Sequence, residues 1–425
     1  MKHLKGTPLR VELKWNEQET QQVGRLAERD RRIFFEYDAE FLQSASKNGA
    51  ALSPFHLPLK PGVFTGSTSL NGLHGLFSDS LPDAWGQLLV NRAAERAGVR
   101  AATLTALDRL AYVGQQGMGA LTYLPETSAA EIAGPLDLDA LHHDATRLLS
   151  GEAADVLEAL LATGGSPGGA RPKVLVCHRE DGQIIHGATF VPDDFRPLLV
   201  KFRAPSDAED IGPIEAAYAS MAKAAGVEMA KSELLPSHSG PGFFATERFD
   251  RVRFNQAAAG GSEGRKNVLH RVHTHTLAGL LEVDHRHLGL DYDALLRVTQ
   301  QLTRDQQQVD VAFRLMVFNV LAHNRDDHAK QFSFLLPQNG EWRFAPAYDL
   351  TFCEGPSGEH STSIAGEGRA PSAKHFVELS SRMGIQKASS IVEEVQEAVS
   401  HWPRFAADWD VSRKSTLRIQ KFLKV

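Results

Sequence analysis

Two carboxylates bracket the part of this chain with the most chemical content. Asp326 lies in Asn324-Arg325-Asp326-Asp327-His328-Ala329-Lys330-Gln331, and Asp349 closes Ala345-Pro346-Ala347-Tyr348-Asp349. A carboxylate in a loop after a helix can orient an attacking hydroxyl, and a second one after a hairpin can hold the metal that bridges ATP phosphates. In this order the pair suits phosphoryl transfer. Upstream, Gly164, Gly165, Gly168 and Gly169 lie in a turn that also holds Ser166 and ends at Lys173. Such a turn aims backbone N–H groups at an anion and cradles phosphate oxygens. It is not a Walker loop, because Ala170 follows Gly169 where that motif needs Lys and then Ser or Thr. Lys201 sits in the apolar run Leu198–Phe202. A lysine there must snorkel outward or meet a partner. In a kinase lobe it binds the α and β phosphates and is held by a helix glutamate, for which Glu215 is the nearest candidate. Plainer alternatives exist: Asp326 and Asp327 as turn residues, Asp349 as a helix N-cap, Glu215 as a partner of the helix macrodipole.

These residues need elements to position them. Val311–Leu321 is apolar enough for a buried helix, and Ala322-His323-Asn324 breaks it. Phe332–Leu336 and Trp342–Phe344 flank Gln338-Asn339-Gly340, a hairpin signal that favours positive φ at both Asn and Gly. Ile214, Ala217, Tyr218, Met221, Ala222 and Ala225 mark one face of an amphipathic helix. Strands are expected at Leu9–Leu13, Ile33–Tyr37, Ala120–Leu124, Val174–Val176, Ile184-Ile185, Leu198–Phe202 and Phe243–Phe249. Helices are expected at Ala84–Ala97, Thr105–Leu110 and around Ala153–Ala162, and Ser53–Lys60 reads as an extended edge or loop. Ala257–Gly264 reads as a loop, and the chain beyond Thr274 as mostly helical apart from the hairpin. The cluster Gly114–Gly119 reads as a packing turn. His270, His273 and His275 lack a convincing ligand set and read as solvated or packing residues, while Asp284, His285 and His287 decorate a turn.

The chain has 425 residues, 42% hydrophobic and 23% charged, which gives room for two or three domains with sizeable cores. A net charge of −6 argues against a broad nucleic-acid surface. Cys177 and Cys353 make no disulfide framework, the first five residues show no signal-peptide pattern, and no long apolar run appears. The expected location is cytoplasmic.

Taken together these motifs resemble the HipA family of bacterial serine/threonine kinases, toxins of toxin–antitoxin pairs. The resemblance rests on Phe77–Asp83, Gly114–Leu124, Ser166–Lys173, Lys201, Glu247–Arg251, Asp326–Lys330 and Pro346–Asp349. It implies a protein-kinase-like two-lobed α+β fold. An N-terminal α/β subdomain would span residues 1–130, a small β-rich lobe 131–255 and a helical lobe 256–425. It implies Asp326 as catalytic base and ATP with Mg²⁺ as cofactors, Asp349 binding the metal. Ser166, Gly168, Gly169, Lys173, Lys201, Glu247, Phe249, His328 and Lys330 would border the nucleotide, Glu247 and Phe249 mainly through backbone hydrogen bonds at the adenine. Ser166 would be an autophosphorylated off-switch, since a phosphate places about −1.5 to −2 charge where ATP phosphates bind. The resemblance further implies a protein substrate in the translation machinery, such as an aminoacyl-tRNA synthetase, and a small helix-turn-helix antitoxin. DNA would be met only through that antitoxin. One departure concerns the second metal ligand: the family's Asn is replaced here by Gln331, which keeps the amide oxygen on a longer stem. The readings to separate from a protein kinase are a small-molecule kinase on the same scaffold and a pseudokinase or antitoxin-binding module.

Overall fold

The computed structural model describes residues 4, 6–30, 32–48, 51–70, 72–128, 134–152, 158–163, 169–187, 190–256, 266–286 and 289–423. Ser166 and Gly168, the 257–264 loop and His287 lie outside the described residues.

Alternating burial builds the first sheet. In Leu9–Lys14 the side chains of Leu9, Val11 and Leu13 are buried and face Phe35, Phe77 and Tyr123 in one core. The antiparallel order runs Val63–Thr65, Arg32–Tyr37, Thr20–Arg29, Leu9–Lys14, Leu121–Leu124. Thr20–Arg29 was not expected, because its ten residues bury few large side chains and are held by ladders on both sides. The segment 53–60 forms turns, and the edge strand comes after it. Helix Ala84–Arg96 follows Asp83, and helix Ala106–Val113 begins in a capping box between Thr105 and Asp108.

A second antiparallel sheet is ordered Ile184–His186, Lys173–Arg179, Phe195–Lys201, Phe243–Glu247, Ser232–Leu235. Against it lies helix Ile211–Ala224, whose Ile214, Ala217, Tyr218, Met221 and Ala222 join the core of the helical part. Two helices pack on this sheet's other core, Leu138–Leu149 and Glu158–Thr163. The first of these was unexpected, though Asp137 caps it and Leu138, Leu141, Ala145 and Leu148 are buried along one face.

The remaining residues surround helix Gln306–Leu321, which is buried from Phe313 to Leu321 except at Arg314. Strands His273–Thr276, Ser333–Leu336 and Arg343–Phe344 form a small sheet beside it. The hairpin turn differs from expectation. Gly340 N–H bonds Pro337 O at 3.0 Å, and only Gly340 adopts positive φ, so Asn339 sits in an ordinary right-handed turn. Helices Ala373–Met383, Ala388–Ser400, Trp402–Asp408 and Arg413–Gln420 complete the fold.

Candidate active site

Register sets the site. Lys173 and Lys201 stand directly opposite each other on neighbouring strands, the first buried and the second with 9% of its side chain exposed. Like charges so placed repel. Carboxylates offset the repulsion: Lys201 Nζ touches Asp349 Oδ1 and lies 2.8 Å from Glu215 Oε2. Burial alone would lower the Lys201 pKa, yet Asp349 and Glu215 hold it above the usual lysine value. Lys173 goes the other way, pushed down by burial and by Lys201. Glu215 also pairs with Arg171 at 3.4 Å, and Arg171 with Asp207 at 3.1 Å. Gly169 has φ +100°, a backbone conformation that favours glycine, and Lys173 Nζ lies close to it.

Asp349 occupies the left-handed region at φ +57°, a strained state for a residue with a side chain. Its Oδ2 accepts from Gln331 Nε2 at 2.9 Å. Burial would raise its pKa, but Lys201, Lys173 and the Gln331 bond hold it far below the carboxylate range. Tyr348, the preceding residue, donates to Lys330 O at 2.6 Å and stacks obliquely on Phe249, with centroids 5.6 Å apart. The chain crossing between the sheets is thereby tied to the Asp349 segment. Glu247 N–H is already given to Lys231 O at 2.8 Å, and its side chain pairs with Arg196. Only other backbone groups of Glu247 and Phe249 remain to meet a base.

Asp326 follows the buried central helix and keeps 52% of its side chain exposed. Its pKa is raised by partial burial and by Asp349 and Asp327, against the pull of His328 and Arg171. Asp327 has a different task. Fully buried, its carboxylate accepts from Tyr292 Oη, His360 Nδ1 and Ser361 N, each at 2.8 Å. Arg325 donates to the carbonyls of Gly358 and Arg369. Asp327 and Arg325 thus fix the segment after Asp349 to the loop that carries Asp326.

Lys330 does not point freely into the cleft; its Nζ lies 2.6 Å from Asp83 Oδ1. His328 accepts from Lys330 N at 3.3 Å, and its ring lies 5.1 Å from that of His285. His285 therefore sits near the loop that carries Asp326 as well as in its turn, and burial with Lys330 nearby pushes its pKa down to about 4. His273 is buried with a pKa pushed to about 3, and His275 bonds Asp79 and Ser53. These two act in packing.

Asp349 and Gln331 carry hard oxygen donors of the kind Mg²⁺ prefers. That ion typically uses one or two carboxylates plus substrate phosphates rather than a full protein cage. The Asp349 carboxylate already attracts a cation here, because the Lys201 ammonium rests on it. Sequence reasoning missed Asp83, Tyr292, Arg325, Asp327 and His360 as parts of this site. Their partners lie far away in sequence: Asp83 meets Lys330, and Asp327 meets Tyr292 and His360.

The architecture is a protein-kinase-like, two-lobed α+β fold. The HipA-like C-terminal domain matches residues 165–402 and the HipA N-terminal domain matches residues 17–124. The chain belongs to the HipA family. A chain from the Shewanella oneidensis MR-1 toxin–antitoxin complex of HipA, HipB and operator DNA superposes with a TM-score of 0.66 at 16% identity. The match covers 97% of this chain and 94% of that one. The Helicobacter pylori proinflammatory kinase CtkA is 12% identical over 54% of this chain and 93% of that chain, with a TM-score of 0.31, a likeness too loose to argue from. No curated protein matches the sequence.

Proposed function

We propose that this protein is an ATP-dependent serine/threonine protein kinase of HipA toxin type. The observation that carries the reading is the convergence of Lys173, Lys201, Glu215, Gln331 and Asp349 on one point. Paired lysines, a strained acid and an amide oxygen donor make a place for a metal–triphosphate. Asp349 and Gln331 would hold Mg²⁺, which supplies charge neutralisation at the phosphates. Lys201 holds the α and β phosphates once released from Asp349, and Glu215 keeps its ammonium in place. Asp326, exposed at the mouth, accepts the proton of a Ser or Thr hydroxyl. The glycine turn through Gly169 roofs the phosphates, and autophosphorylation of Ser166 is its off-switch. Phe249 and the backbone of Glu247 border the adenine.

The partner is proposed by analogy with the Shewanella complex, in which HipA is assembled with HipB and operator DNA. A small DNA-binding antitoxin would bind this chain. The substrate class proposed is a protein of the translation machinery, and the compartment the cytoplasm. No helix among the described residues is long and apolar enough to cross a membrane. The test compares phosphoproteins and phosphorylated metabolites in cells expressing wild type or Asp326→Asn. Protein Ser or Thr phosphorylation only with wild type supports the reading; a phosphorylated metabolite without protein labelling refutes it.

A further inference from the structure

Asp83 ends the segment that leads into helix Ala84–Arg96, the position where an aspartate ordinarily caps its own helix. It makes no such bond. Both carboxylate oxygens are turned away from the helix: Oδ1 lies 2.6 Å from Lys330 Nζ, and Oδ2 accepts from Gly169 N at 3.0 Å. The first turn of the helix grips the same glycine, because Trp85 N–H bonds Gly169 O at 3.3 Å. Asp83 belongs to the N-terminal sheet's connections, whereas its two donors belong to the glycine turn and to the catalytic loop. A single side chain thus closes the cleft from a third direction.

A carboxylate between a glycine N–H and a lysine ammonium has the charge and the acceptor geometry of a phosphate oxygen. The glycine N–H can serve only one acceptor well. We propose that Asp83 is an internal stand-in for a nucleotide phosphate, a competitor that ATP must displace from Gly169 and Lys330 before the cleft is productive. The proposal rests on the nucleotide reading given above and adds a residue to it. Asp83 acts through Gly169 and Lys330 and is a positioning residue.

The test measures binding of the Mg²⁺ complex of a non-hydrolysable ATP analogue to the full chain by calorimetry, wild type against Asp83→Asn. The asparagine keeps the shape and removes the charge. Losing one charge-assisted competitor should tighten binding by roughly tenfold. The KM for ATP should fall with it while kcat changes less. Equal or weaker binding by the variant overturns the proposal and leaves the nucleotide reading intact. Binding by neither protein overturns both. Should Asp83→Asn fail to fold, hydrogen exchange in wild type decides: the Trp85 amide should exchange faster once the analogue is bound, and unchanged or slower exchange overturns the proposal.

Discussion

At the residue scale, charge balance governs the cleft. Lys201 resting on Asp349 shows how the pair keeps each other ionised while buried, each compensating the other's desolvation. If Asp326 accepts the hydroxyl proton, Asp326→Asn should reduce kcat by about 10²–10⁴-fold with ATP binding retained, read by steady-state kinetics and calorimetry. Gln331 reaches Asp349 with its longer stem, through its amide nitrogen at 2.9 Å. Gln331→Ala should raise the Mg²⁺ concentration needed for half-maximal rate by about 10- to 100-fold, measured by metal titration at fixed ATP. The types of these residues were legible in the sequence because the loop motifs are short and contiguous. Asp327 was not, since a buried carboxylate and a turn carboxylate look alike until Tyr292 and His360 are brought to it.

Bracing of one helix dominates at the element scale. Glu215 lies on Ile211–Ala224, and that helix is clasped by the C-terminal helices. Asp210, just before it, accepts from Ser412 N and Ser415 Oγ, each at 2.9 Å; Trp409 Nε1 donates to Ser220 Oγ at 2.8 Å; Tyr218 packs edge-on against Trp402. Tyr218 also donates to Ala322 O at the end of the central helix. The glutamate is therefore held toward Lys201 by side chains nearly two hundred residues away in sequence. Trp402 is fully buried, so Trp402→Ala should cost about 3–5 kcal/mol of stability, measured by denaturant unfolding. The amphipathic face of this helix and the apolar central helix were readable from periodicity. Strand Thr20–Arg29 and helix Leu138–Leu149 were not, the first because ladder pairing rather than apolar pattern holds it, the second because a polar, Pro-containing approach masked its cap.

At the scale of the whole molecule, the first sheet and the cleft are joined by buried charge. Asp250, with no exposed surface, accepts from Gly119 N at 2.6 Å and pairs with Arg248 and Arg251, and Arg251 reaches Gly117 and Gly119 carbonyls. The turn 114–119 thus holds the Arg248–Arg251 segment, donating one N–H to Asp250 and accepting from Arg248 and Arg251. Burial opposes ionisation of Asp250, but the two guanidinium groups hold its pKa far below the usual value. A depressed carboxylate pKa contributes stability above the unfolded value of about 3.9, and that contribution is lost as pH falls below it. Asp250→Asn should be less stable than wild type by about 3–5 kcal/mol near neutral pH. The difference should shrink as pH falls from about 5 toward 2, followed by denaturant midpoints across that range. A constant difference would assign Asp250 a packing role alone.

The most direct test of the central claim is transfer of labelled γ-phosphate from ATP to protein Ser or Thr by the purified chain with Mg²⁺, wild type beside Asp349→Ala. Labelling by wild type and none above background by the variant is the expected result. Equal labelling by both proteins, or bound nucleotide with no labelled hydroxyl in wild type, would contradict it.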